Sequence, residues 1–180
     1  MSSFKHSYIG FALSLVLISA LTILVSCNST GTRSDVNTDL NTNVRTFNAD
    51  NEVDLAEYER LNLDDTHPNM LNPEQAKSNF DAVVKSWKNL HVEVNTYLNE
   101  NNFRWEVQDS NIAVVDKIYF DRDGNIKAYF FKVLNPQVSY EKKEAFSELL
   151  SDFSKTASID YLNLTGKSYA QCGKIKYWNY

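Results

Sequence analysis

A chain of 180 residues has room for one domain with appendages. With 43% hydrophobic and 13% aromatic residues it is no disordered tail, and five glycines and three prolines exclude a collagenous or proline-rich chain. The formal charge of −5 comes from 18 basic and 23 acidic residues spread along the chain. It argues against nucleic acid as a main partner, since phosphate binding needs a clustered basic face.

Residues 1–8 carry Lys5 as their only fixed positive charge, and residues 9–25 read IGFALSLVLISALTILV without any charge. A bilayer span needs about 20 apolar residues. This run is shorter and fits the core of a signal peptide behind a basic tip. It ends Leu24-Val25-Ser26-Cys27, a tetrapeptide that resembles the lipobox of bacterial lipoproteins. The resemblance implies cleavage before Cys27, a diacylglycerol on its sulfur and acylation of the new amino terminus. Only a thiol can become the thioether that carries the lipid, and two or three acyl chains together hold a protein stably on a membrane. Residues 1–26 are therefore expected to be a lipoprotein signal peptide of Gram-negative type. Asn28, not aspartate, follows the cysteine, and the enterobacterial sorting rule then favours the outer membrane.

From Asn28 to about Asp50 the chain is dominated by Ser, Thr, Asn, Asp and Gly. Its apolar residues are too sparse for a core face, so residues 27–64 are expected to form a flexible polar stalk. A short helix can lie within it, between Asn51 and Arg60. A single α+β globular domain is expected over residues 65–180.

The clearest helix starts at Asn72, a capping residue followed by Pro73 at the first helical position and by Gln75 in a capping-box pattern. Phe80, Val83, Val84, Trp87, Leu90, Val94, Tyr97 and Leu98 then recur at helical spacing, and Asn101-Asn102 ends the run. Phe103, Trp105 and Val107 alternate with polar residues, which predicts a strand or extended arm. Residues 112–120 and 126–134 are rich in β-branched and aromatic side chains, with DRDGN between them. Gly124 supplies the positive φ of a hairpin turn. Ser139 is placed to cap a second helix carrying Tyr140, Phe146, Leu149, Leu150, Phe153 and Ala157, and Lys174 to Trp178 alternate as a last strand.

The predicted fold class is α+β: signal peptide and polar stalk, then a long helix and a ββαβ two-layer sandwich. Over the last third of the chain, KIYFDRDGNIKAYFF, the helix from Ser139 and the stretch TGKSYAQCGKIKY follow the element order of the TonB C-terminal domain, which this segment resembles. That resemblance implies partner recognition by strand pairing.

No metal or cofactor is expected. Aligning Gly124 with the invariant EF-hand glycine puts Tyr119 and Phe130 where the first and twelfth ligands belong, so DRDGN is a hairpin turn. His91-Val92-Glu93 matches the H-x-E of zinc deaminases but lacks their C-x-x-C pair. His91 is expected to be a partly buried packing residue, and His67 a solvated one beside Asp64 and Asp65. Cys172 is the one candidate nucleophile. Lys167, Lys174 and Lys176 are near it in sequence and His91 could be near it in space, yet a semi-buried packing role suits a cysteine at a strand better. No G-x-S-x-G, P-loop or G-x-G-x-x-G motif occurs.

Tyr119, Phe120, Tyr129, Phe130 and Phe131 exceed what one buried hairpin face needs. Strand spacing would put Phe120 and Phe130 on one face and Tyr129 and Phe131 on the other. Tyr119, Tyr129, Phe131 and Trp178 are the candidate partner surface. The expected function is a lipid-anchored, non-enzymatic module that binds another envelope protein through the hairpin or the terminal strand KYWNY. It would meet the membrane through the lipid on Cys27, with neither nucleic acid nor a small-molecule substrate as partner. Two alternatives remain: an immunity or inhibitor protein using its acidic surface, and a thiol-dependent enzyme using Cys172.

Overall fold

A computed structural model describes residues 44–161 and 166–179, all within one compact unit, Asp35–Tyr180. The expected signal peptide, Cys27 and the expected stalk up to residue 43 lie outside the described residues. Strand β1 (Arg45–Asn48) leads into helix α1 (Glu52–Leu61), a one-turn α2 (Pro73–Ala76) and the long α3 (Phe80–Glu100). The hairpin β2 (Asn111–Phe120) and β3 (Ile126–Val133) follows, then α4 (Tyr140–Ser154) and β4 (Tyr169–Trp178). The four strands form one mixed sheet in the order β1-β3-β2-β4. β1 runs parallel to β3, while β2 is antiparallel to both β3 and β4. The class is α+β.

Side-chain oxygens start the helices. Asn51 accepts from the Val53 and Asp54 amides, Asn72 from Glu74 and Ser139 from Lys142. In the hairpin, Gly124 takes φ 84°, and the Asp121 carboxylate accepts the Asp123 and Asn125 amides. The main core lies between one face of the sheet and helices α3 and α4. Val83, Leu90 and Val94 of α3 and Phe146 and Leu150 of α4 meet Val114, Ile118, Tyr129 and Phe131. On the opposite face α1 covers only one end of the sheet. There Phe47, Leu61, Leu63, Tyr119, Ala128 and Ala170 form a smaller core, with the Tyr58 ring stacked 4.2 Å from Phe130.

Several expectations are corrected. The domain starts before residue 65, because β1 and α1, assigned to the stalk, are part of the fold. Phe47 is the anchor of β1, buried under α1. One inward aromatic in a four-residue parallel strand leaves too little alternation to be seen in sequence. The helix expected from Asn72 is broken at Lys77, whose φ of 48° no continuous helix holds. The alternating stretch 103–108 joins none of the strands. Its apolar residues pack instead, with the Trp105 ring 4.8 Å from both Phe103 and Phe146. Helix α4 stops at Ser154, before Ala157, and Tyr140 faces solvent. Tyr119 and Ala128 pair across the hairpin, as do Lys117 and Phe130, so Phe120 shares the helix-covered face with Tyr129 and Phe131, not with Phe130.

Candidate functional site

β4 is an edge strand, and α3 runs beside it. Between them lies an open groove of about 470 Å³. Lys88, His91, Val92, Asn95 and Thr96 of α3 form one wall, and residues 174–178 of β4 form the other. The lining includes no carboxylate and three lysines, Lys88 from α3 and Lys174 and Lys176 from β4, the latter two with side chains on the face away from α3. Val92 of the α3 wall is 65% exposed, and Trp178, whose side chain leaves β4 on the face away from α3, is 60% exposed.

Strand alternation decides which backbone groups of β4 are free. Ala170 gives its amide to Pro68 and its carbonyl to Met70, and the Cys172 amide is bonded by the Asn69 side chain. These outward groups recur every second residue. The outward amides and carbonyls of Lys174, Lys176 and Trp178 therefore continue the same row. Among the described residues they have no backbone partner. An edge of this kind is a template for another strand.

Behind the groove is a buried polar group. The Tyr177 hydroxyl lies 2.7 Å from His91 Nδ1, 3.2 Å from Asp116 Oδ2 and 3.4 Å from the Tyr129 hydroxyl. Asp116 is wholly buried, and burial pushes its carboxyl up to about 8. Its Oδ1 meets no donor, so a neutral acid is the form this site tolerates at neutral pH. Burial likewise pulls His91 down to about 3 and keeps its imidazole neutral. The Tyr129 and Tyr177 hydroxyls are raised by burial and by Asp116. These groups are enclosed by aromatic rings, with Trp87 edge-on to His91 at 4.2 Å. They hold α3 to β4. His91 is thus a packing histidine, buried more completely than its border position predicts.

On the α1 side of the sheet, the part that α1 leaves uncovered carries basic residues. Lys132, Val115 and Lys174 lie in one cross-strand row, and Ala113 pairs with Lys176 in the next. Trp178 pairs with Asn111 in the third. Lys117, Lys142, Lys143 and Lys155 each pair with a carboxylate. Among the described residues Lys132, Lys174 and Lys176 have no such partner.

Of the predicted partner surface, only Trp178 is exposed. Tyr119, Tyr129 and Phe131 are buried, because both faces of the hairpin are covered where they sit: α3 and α4 take Tyr129 and Phe131, and α1 takes Tyr119. The Tyr119 hydroxyl is 2.6 Å from that of Tyr58 and donates to Asp64 at 2.7 Å. Burial pushes the Asp64 carboxyl up, but its bonds with Lys117 and Tyr119 outweigh this and hold it below its ordinary value. His67 is half-buried, edge-on to Tyr119 at 5.4 Å, and burial lowers it.

Cys172 pairs with Lys117 on the α1 side of the sheet, whereas His91 packs on the other side. The sheet keeps them apart. Burial raises the Cys172 thiol more than Lys117 lowers it, so it stays protonated at neutral pH. Among the described residues no three His, Cys, Asp or Glu side chains are grouped to hold a metal ion.

No protein-family model, curated protein or solved structure matches this chain. The site therefore stands on its geometry. The α3 wall was not foreseen, although Val92, an apolar residue off the helix stripe, marks it. Asp116 also has a signal in sequence, as an acid at an inward position between Val114 and Ile118.

Proposed function

We propose that the chain is a lipid-anchored cell-envelope protein whose domain binds another envelope protein by taking up an extended, acidic segment along β4. The free outward edge of Lys174–Trp178, running beside the α3 groove, is the observation that carries it. Strand addition to such an edge gains affinity from main-chain hydrogen bonds and specificity from the flanking pockets. Three lysines around the groove and no carboxylate favour an acidic occupant. The same lysines disfavour an inhibitor of a basic toxin at this site, and the protonated Cys172 disfavours a thiol enzyme. The lipobox at Cys27 supports tethering, with the outer membrane as the favoured address.

Two measurements test the two halves. Fatty-acid labelling marks the wild type and not Cys27→Ala; equal labelling overturns the tether. A photo-crosslinking residue at Trp178 forms an adduct in intact membranes. Lys176→Pro removes an outward amide that the fold itself does not use, and an edge strand tolerates proline there. The adduct is lost in Lys176→Pro and kept in Lys176→Arg. An adduct that survives the proline overturns strand addition, and no adduct in the wild type overturns binding at this edge.

A further inference from the structure

We infer that the segment received by β4 alternates between acidic and apolar residues, its acids beside Lys174 and Lys176 and its apolar side chains in the groove against α3. This rests on β4 being the docking edge and adds what that edge selects. Along β4 the side chains divide cleanly. Ile175 and Tyr177 pack with the main core on the α3 side, and Gly173 lies there against Trp87. Lys174, Lys176 and Trp178 point to the opposite, solvent-facing side, in register with Val115, Ala113 and Asn111.

A strand added to β4 shares its pleat, so each residue opposite a β4 residue projects to the same face. Residues opposite Lys174 and Lys176 therefore come to lie in cross-strand contact with two ammonium groups that have no carboxylate partner among the described residues. The neighbouring Lys132, one strand beyond Val115, adds charge of the same sign to that face. Residues opposite Ile175 and Tyr177 project instead into the groove, where the exposed Val92 is the apolar contact on a wall it shares with Lys88, Asn95 and Thr96. Opposite charges directly across a strand pair are favourable and like charges are not. A one-residue slip would put acids against Val92 and apolar groups against the lysines, so register is selected together with composition.

The test uses the mature, full-length protein, labelled with nitrogen-15, and four blocked eight-residue peptides: (Val-Glu)4, (Val-Lys)4, (Ser-Glu)4 and (Val-Ser)4. Titration gives affinity, and amide exchange at Lys174, Lys176 and Trp178 reports strand addition. (Val-Glu)4 is expected to bind at least tenfold more tightly than each of the others and to protect those three amides. Lys174→Glu with Lys176→Glu, both exposed positions, is expected to reverse the order of (Val-Glu)4 and (Val-Lys)4. Equal binding of (Val-Glu)4 and (Val-Lys)4 with the amides protected overturns the alternation rule while leaving strand addition standing. Binding of (Ser-Glu)4 as tight as (Val-Glu)4 overturns the apolar half of the rule. If no peptide protects the β4 amides, strand addition itself fails.

Discussion

The Tyr177 hydroxyl sits 2.7 Å from Nδ1 of His91, joining the edge strand to the long helix across 86 residues of sequence. A phenol has one proton, yet Tyr177 also touches Asp116 at 3.2 Å. The phenol donates to Asp116, the Nδ1–H tautomer of the neutral His91 supplies the other hydrogen bond, and the buried Asp116 carboxyl keeps a proton of its own.

That proton makes stability depend on pH. Asp116 is raised from 3.8 to about 8, so the folded state keeps a proton that the unfolded chain releases. Its contribution is full below the unfolded value and is lost as pH rises towards about 8. His91, lowered from 6.5 to about 3, acts in the opposite sense, costing stability as pH falls through that range. Between pH 6.5 and 8 the Asp116 slope alone remains of the two. Urea denaturation across this window is expected to show stability falling by up to about 1.4 kcal/mol per pH unit. Asp116→Asn, neutral at every pH, should flatten the curve. A flat wild-type curve would contradict a buried neutral acid.

Gly173 lies against the Trp87 ring of α3. A Cβ there would meet Trp87 Nε1 at 3.2 Å and its neighbouring ring carbons at 3.3 Å. Gly173→Ala is expected to cost about 1–3 kcal/mol, the usual range for overpacking. Trp87 would also shift, which tryptophan fluorescence of the folded variant reads directly. An unchanged midpoint and spectrum would mean the ring is free to yield.

Phe47 tests where the domain begins. Its side chain is buried beneath α1, with the Tyr58 ring 5.7 Å away. Phe47→Ala should destabilise by about 3–5 kcal/mol, as expected for a buried phenylalanine. A change below about 0.5 kcal/mol, the scale of surface substitutions, would return this segment to a stalk.

The thiol of Cys172 should react slowly. Burial raises it and Lys117 partly offsets that. At pH 7.5 a disulfide reagent is expected to label Cys172 more slowly than a small free thiol, and Lys117→Met should slow it further. Fast labelling at neutral pH would revive a nucleophilic role.

How much was legible depends on the range of the interaction behind each feature. The caps at Asn51, Asn72 and Ser139, the stripe from Phe80 to Leu98 and the turn at Gly124 all act within a few residues, and each is visible as a local pattern. The break at Lys77 was not visible, nor was the packing of Trp105 on Phe146. In the second, a distant aromatic surface chose the backbone path over the local alternation. The aromatic hairpin shows the same limit. Alternation assigns faces within one strand, but pairing Lys117 with Phe130 requires the cross-strand register.

Sequence alone determined the α+β class, the hairpin and the two principal helices, because short-range sterics require nothing from elsewhere in the fold. Only the tertiary structure decided that β1 joins the sheet, that Tyr119, Tyr129 and Phe131 are covered, and that β4 has an edge beside α3 left unpaired by the described residues. Burial and edge exposure depend on which distant segments come to lie alongside, and no local pattern of residues encodes that.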